Sequence, residues 1–110
     1  MQDLKFKDKY IEQIVKGNKR TTWRVDHEEV FRPGRTILLK NTNGNSFAKA
    51  EVKWYKYTTI DSMSGEDFKY HTSPDTTAGV VNTLQKLYPE HDVVVETEIS
   101  VIRYDVKELV

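Results

Sequence analysis

GNKRTTWRV, residues 17–25, sets a glycine, three cations, two threonines and a tryptophan within nine positions. Its second half, TTWRV, has the β-branched and aromatic content of a strand. Its first half closes whatever precedes it. Upstream, Asp8 is a candidate N-cap, and Tyr10, Ile11, Ile14 and Val15 fall on one helical stripe. Glu12 and Lys16 form an i,i+4 pair in the favoured order, and Gly17 suits the residue just past a helix end. The spacing predicts a helix over Asp8 to Lys16 that turns directly into a strand.

Downstream of a polar, loop-like segment reaching Phe31, Pro33-Gly34 reads as a turn feeding the apolar run Ile37-Leu38-Leu39. NTNGN, residues 41–45, contains Asn-Gly, a strong hairpin signal. Beyond it Ala48, Ala50, Val52 and Trp54 alternate with Lys49, Glu51, Lys53 and Tyr55, the pattern of a half-buried strand. A short helix is expected between Ser62 and His71. Ser73-Pro74 reads as the N-cap and first position of another, with Val80, Val81, Leu84, Leu87 and Tyr88 as its apolar stripe and Pro89 as its stop. The last element is a strand over Val93 to Tyr104, with Val93, Val95, Ile99 and Val101 on one face. Leu38, Val52, Trp54, Leu84, Val95 and Ile99 are the expected core.

The order is a helix, several closely joined strands, one or two helices and a long final strand. Such short connections leave little room for parallel crossovers, so an α+β fold is expected, with an antiparallel or mixed β-barrel flanked by two or three helices. The 110 residues suit one domain, 1–110, and 12 aromatics can fill its core. The chain has no cysteine, which excludes disulfides and thiolate metal sites. Met1 to Phe6 does not look like a leader and no apolar run is long enough to span a membrane, so a cytoplasmic protein is expected. Net charge is zero, yet residues 1–60 carry 13 Lys and Arg against 7 Asp and Glu, and residues 61–110 carry 4 against 10. That asymmetry favours a local anion site over a wholly basic surface.

A helix ending in Gly, then Gly17, Lys19, Thr22 and Arg24 in the pattern G-x-K-x-x-(E/T)-x-R entering a strand, resembles the ASCH domain family, whose fold is the PUA-like barrel. The turn at Pro33-Gly34, the helix ending in Leu87-Tyr88-Pro89 and the last strand ISVIRY, Ile99 to Tyr104, extend the resemblance over about Leu4 to Val106. The resemblance implies RNA binding. Some small bacterial members are amidohydrolases of N4-acetylcytidine, in which the motif Lys and a Thr at the position of Thr22 are catalytic, with a Glu before the last helix. Lys19 and Thr22 carry over. Most family patterns have Glu where this chain has Thr22, and the segment HTSPDTTAG holds only Asp75 as an acid, one methylene shorter than Glu.

Read as residues alone, Lys19, Arg20 and Arg24 suit either a solvated turn or a site for something anionic. Strand alternation sends Arg20, Thr22 and Arg24 to one face and Lys19, Thr21 and Trp23 to the other, unless Lys19 still lies in the turn. Trp23 suits a core position better than a stacking platform, whereas Lys53, Tyr55 and Tyr57 share the face opposite Trp54, where rings and ammonium groups could meet RNA. His27, His71 and His91 lack metal-ligand spacing and read as surface residues, and Glu28-Glu29 as a solvated loop. No metal and no cofactor is expected.

Two functions follow. As a binding module, the chain would hold RNA or a nucleotide in a basic cleft of Lys19, Arg20, Thr22, Arg24 and Ser73, the last at a helix N-terminus. As an amidohydrolase of an acylated nucleoside, Lys19 would be the base, Thr22 the nucleophile or relay and Asp75 the orienting acid. The partner expected is RNA or a modified nucleoside, with the protein a monomer and no membrane involved.

Overall fold

The computed structural model describes residues 1–72 and 74–110. Elements follow in the order β1 (Asp3–Lys5), α1 (Asp8–Val15), β2 (Thr21–Val25), β3 (Thr36–Lys40), β4 (Ser46–Thr59), α2 (Gly65–Phe68), α3 (Thr77–Leu87) and β5 (Glu98–Leu109), with a 3-10 turn at Ile60–Ser62. The five strands form one sheet in the order β1-β3-β4-β5-β2, curled into a half-barrel. It is mixed: β1 runs parallel to β3, and the other pairs are antiparallel. Among the described residues no helix is long and apolar enough to cross a membrane.

The local signals place the first half well. Gly17 follows α1 at φ +81°, where an L side chain would be strained, and Gly34 and Gly44 take the same conformation at φ +87° in the two turns. NTNGN joins β3 to β4. β1 had no sequence signal of its own; three residues count as a strand only because β3 offers a partner, Leu4 facing Leu39 in register. The final strand begins at Glu98 rather than Val93. Val93 to Val95 lie in the connection, where Val93 is buried and Val95 exposed.

β5 is the spine of the molecule, and Ile99 to Tyr104 are buried on both faces of the sheet, the polar Ser100 and Arg103 included. Ile102 and Tyr104 join Leu4, Phe6, Ile14, Ile37, Leu39 and Val52 in one core cluster. Ile99 and Val101 join Trp23, Val25, Ile60, Val80 and Leu84 in the other. Ile37 and Leu39 point inward, and Leu38, expected in the core, is only half-buried because strand alternation turns it to the other face.

Trp54 is also half-buried, not core. Val52 pairs with Tyr104 and Trp54 with Arg103, so Lys53 is an extra residue in the ladder. Such a bulge shifts the alternation by one and sends every later side chain to the other face. Trp54 therefore leaves the face of Val52, and Tyr55 takes its place, packing on the first cluster beside Phe31.

α3 starts at Thr77, later than the Ser73-Pro74 signal suggests, and Thr76 caps it by accepting a bond from the Gly79 N–H at 3.1 Å. Pro74 instead folds against Gly79: a Cβ built there would stand 2.5 Å from the Pro74 Cβ. Helix propensity alone favours alanine over glycine by about 1 kcal/mol. The clash reverses the sign, so Gly79→Ala is expected to lower stability by about 1–3 kcal/mol. Urea denaturation would show it, and a stabilised variant would mean that Pro74 yields freely.

Candidate nucleotide cleft

β1 and β2 are the two edges of the curled sheet, and no strand ladder joins them. Arg24 spans the opening. Its Nη2 donates to the Lys5 carbonyl at 2.8 Å, its Nε donates to Thr22 Oγ1 at 3.1 Å, and its guanidinium lies 4.9 Å from the centre of the Phe6 ring. A cavity of about 250 Å³ opens at this seam. Lys5, Phe6, Lys7 and Tyr10 line it from β1 and the start of α1. Lys19, Thr22, Trp23 and Arg24 come from β2 and the turn before it, His71 from the segment after α2, and Leu84, Leu87 and Tyr88 from α3 and its end. Drug-sized pockets measure about 300–1,000 Å³, so this cavity suits one small group. Its described lining includes no Asp or Glu.

Lys19 is 3% exposed, an uncommon place for an ammonium group. Its Nζ donates to the Thr21 carbonyl at 2.8 Å and sits 5.5 Å from the centre of the Tyr10 ring. Burial, and then the Arg24 charge, pull its pKa down to about 7. Arg24 also shifts downward through burial but remains a cation. Tyr104 stands behind the seam with its hydroxyl donating to the Lys19 carbonyl at 3.2 Å, and burial raises its pKa.

His71 departs from its expected surface position. Its ring stacks flat on Trp23, with centroids 3.5 Å apart and planes 3° from parallel. Burial, followed by the Lys19 charge, lowers its pKa to about 3, so the imidazole is neutral at physiological pH. With Nδ1 bonded to the Thr72 carbonyl, the proton belongs on Nδ1 and Nε2 is left as an acceptor. Trp23 has both roles weighed for it: 4% exposed and bonded through Nε1 to the Asp67 carbonyl at 2.8 Å, it is core, yet it also lines the cavity.

Of the expected site residues, the fold brings Lys19, Thr22 and Arg24 together. Arg20 turns away: its Nε donates to the Gly17 carbonyl at 2.8 Å and its guanidinium stacks on Tyr70, outside the cavity. Alternation had grouped it with Thr22 and Arg24, but the closing turn of α1 captures its side chain first. Asp75 is exposed and does not line the cavity, and Ser73 lies outside the described residues. His71, Lys5 and Lys7 enter the site without a local signal, whereas Tyr88 belongs to the Leu-Tyr-Pro helix end. Among the described residues no group of three or more His, Asp or Glu could hold a metal ion.

No family model matches the chain, and no curated protein sequence does. Solved structures do. An Enterococcus faecalis V583 protein, EF3133, of the family DUF984, superposes with a TM-score of 0.70 at 10% identity, over 90% of this chain and 70% of its own. An ASCH domain from Lactobacillus crispatus JV V101 gives 0.61 at 12% identity, covering 86% of this chain and 68% of its own. The ASCH protein of Zymomonas mobilis gives 0.70 at 7% identity, over 97% and 70%. At such identities the likeness speaks for the backbone, not for the chemistry. A curled mixed sheet with Lys19, Thr22 and Arg24 at its seam, superposing on these structures, gives the chain the ASCH-domain fold.

Proposed function

We propose that the protein binds a nucleotide, free or within RNA, in the cleft at the β1–β2 seam. The observation that carries this reading is the charge of the lining: four basic side chains, Lys5, Lys7, Lys19 and Arg24, with no carboxylate among the described lining residues, beside the rings of Tyr10 and Tyr88. An anion is attracted to such a lining from a distance, and an aromatic base has rings to meet. His71 Nε2 offers an acceptor for base edges or ribose hydroxyls.

The amidohydrolase reading has one observation in its favour, an amine on Lys19 whose pKa falls near neutrality beside Thr22. An unprotonated Lys19 would take the Thr22 hydroxyl proton as that oxygen attacks the amide carbonyl and return it to the leaving amine. Water would then hydrolyse the acyl ester on Thr22 to release the acid and restore the hydroxyl. An acid to orient the pair is missing from the described lining, since Asp75 is exposed elsewhere. Binding is therefore the reading preferred.

The test is titration with cytidine monophosphate at two salt concentrations, alongside incubation with N4-acetylcytidine and analysis for cytidine and acetate. Salt-weakened binding of the monophosphate and no deacetylation are expected. Turnover of acetylcytidine would make the protein an enzyme.

A further inference from the structure

The backbone of Lys19 is fixed on both sides. Its N–H donates to the Gln13 carbonyl at 3.1 Å, and its carbonyl accepts the Tyr104 hydroxyl at 3.2 Å. The side chain is served less well. An ammonium group has three protons to place, and the Thr21 carbonyl at 2.8 Å is its one acceptor among the described residues. The described lining of the cavity holds no carboxylate to pair with it, and Arg24 adds a like charge. A neutral amine suits this position better: one N–H bonds to Thr21 and the lone pair is left over. With its pKa drawn to about 7, the neutral form is well populated near neutrality, and a neutral primary amine is a nucleophile.

The space beside Lys19 decides what such an amine can take. The cavity measures about 250 Å³, and Phe6, Tyr10, Leu84 and Leu87 give it apolar walls. An aldehyde would have to lose its oxygen as water to form an imine, a step helped by a strong proton donor. The described lining has no carboxylic acid, and His71 is neutral. Carbon dioxide loses no atom on adding to an amine, and it is small and apolar enough for these walls. Its adduct is a carbamate, an anion with two oxygens in a plane, the shape that a guanidinium grips best. Arg24 stands in the same cavity with Nε committed to Thr22 and Nη2 to Lys5, and Nη1 has no partner among the described residues.

We propose that carbon dioxide carboxylates Lys19 to a carbamate held by Arg24, and that this modification opposes anion binding in the cleft. The Nζ lone pair forms a bond to carbon, one C=O electron pair moves onto oxygen, and Nζ releases a proton to water. Amine and carbon dioxide thus become carbamate and a proton. The cleft then exchanges a basic group for an anion, which repels an incoming phosphate and occupies the guanidinium that would meet it. The modification stands by itself, whereas its effect on ligand rests on the nucleotide reading of the cavity.

The test treats the folded protein with isotope-labelled bicarbonate, traps carbamates by alkylation with triethyloxonium, and maps the label by mass spectrometry. Label is expected on Lys19 but not on exposed, ion-paired lysines such as Lys16 and Lys107, with the Met1 α-amine showing that the reagent worked. Arg24→Lys keeps the charge and loses the fork, so occupancy of Lys19 should fall about threefold or more. An unlabelled Lys19, or one labelled no more than Lys16 and Lys107, overturns the site, and undiminished label in Arg24→Lys overturns the part given to Arg24. Bicarbonate, against chloride at equal ionic strength, should weaken cytidine monophosphate binding about tenfold in the parent and far less in Lys19→Met. Equal weakening in both marks bicarbonate as a simple competing anion and overturns the opposition. Label on Lys19 in a protein that ignores cytidine monophosphate, even without carbon dioxide, overturns the nucleotide reading and keeps the modification site.

Discussion

Lys19→Met is expected to resist urea better than the parent protein at pH 6, and to bind nucleotide at least tenfold more weakly. Lys19 is 3% exposed, and its pKa falls from 10.5 in the unfolded chain to about 7 in the folded one. Below pH 7 both states hold the proton, and the folded state carries a desolvated charge. Between pH 7 and 10.5 the unfolded chain holds a proton that the folded chain has released, so stability rises with pH by up to about 1.4 kcal/mol per unit. Replacing Lys19 by Met removes that charge and its desolvation, a gain of about 1–3 kcal/mol at pH 6, and flattens the rise. Ligand affinity runs the opposite way, falling above pH 7 as the cation disappears.

His71 adds a second window of the same sign. Its folded pKa of about 3 lies below the ordinary 6.5, so the unfolded chain binds its proton first and stability is lost as pH falls from 6.5 toward 3. Tyr104, shifted upward by burial, acts only near and above pH 10, where ionisation favours the unfolded chain. Urea titrations at pH 5, 6, 7 and 9 resolve the two windows. If Lys19→Met is the less stable protein at pH 6, the bond from Nζ to the Thr21 carbonyl outweighs the burial of charge, and the expected gain is overturned.

Arg24→Ala is expected to weaken nucleotide binding by tenfold or more and to reduce its salt dependence by about one unit of slope, while Thr22→Val changes affinity little. Arg24 contributes a full charge and five donors in a fixed fork, and a phosphate can take two of them at once. The substitution also severs the bond to the Lys5 carbonyl, a side-chain link between the two sheet edges, so a loss of about 1–2 kcal/mol of stability accompanies it. Arg24→Lys restores the charge without the fork and should recover the salt slope more fully than the affinity. Thr22 carries no charge, and Thr22→Val gives up one hydrogen bond to Arg24 Nε. In an amidohydrolase the order reverses: losing a nucleophile or relay lowers turnover by orders of magnitude while substrate still binds. Acetylcytidine turnover that disappears in Thr22→Val would replace the binding reading by the enzymatic one.

How far such variants could be chosen from the chain alone differs from residue to residue. Helix α1 with Gly17 past its end, the NTNGN hairpin, the alternating start of β4 and the stop of α3 at Leu87-Tyr88-Pro89 are set by residues within a few positions of one another. Periodicity, turn chemistry and capping act at that range, so the sequence by itself determined them, and with them the α+β order. Lys19, Thr22 and Arg24 were also legible, because one turn and one strand carry all three into the seam.

Tertiary structure alone decided the rest. β1 exists through its pairing with β3, and the extra residue at Lys53 is defined by the partner strand β5, which is why Trp54 left the core face. Arg20 was drawn outward by the Gly17 carbonyl and the Tyr70 ring, and His71 inward by Trp23, contacts between segments about 50 residues apart in the second and third cases. The depressed pKa values of Lys19 and His71 have the same origin. Desolvation depends on which surfaces close over a group, and long-range packing sets that, not the neighbours in the chain.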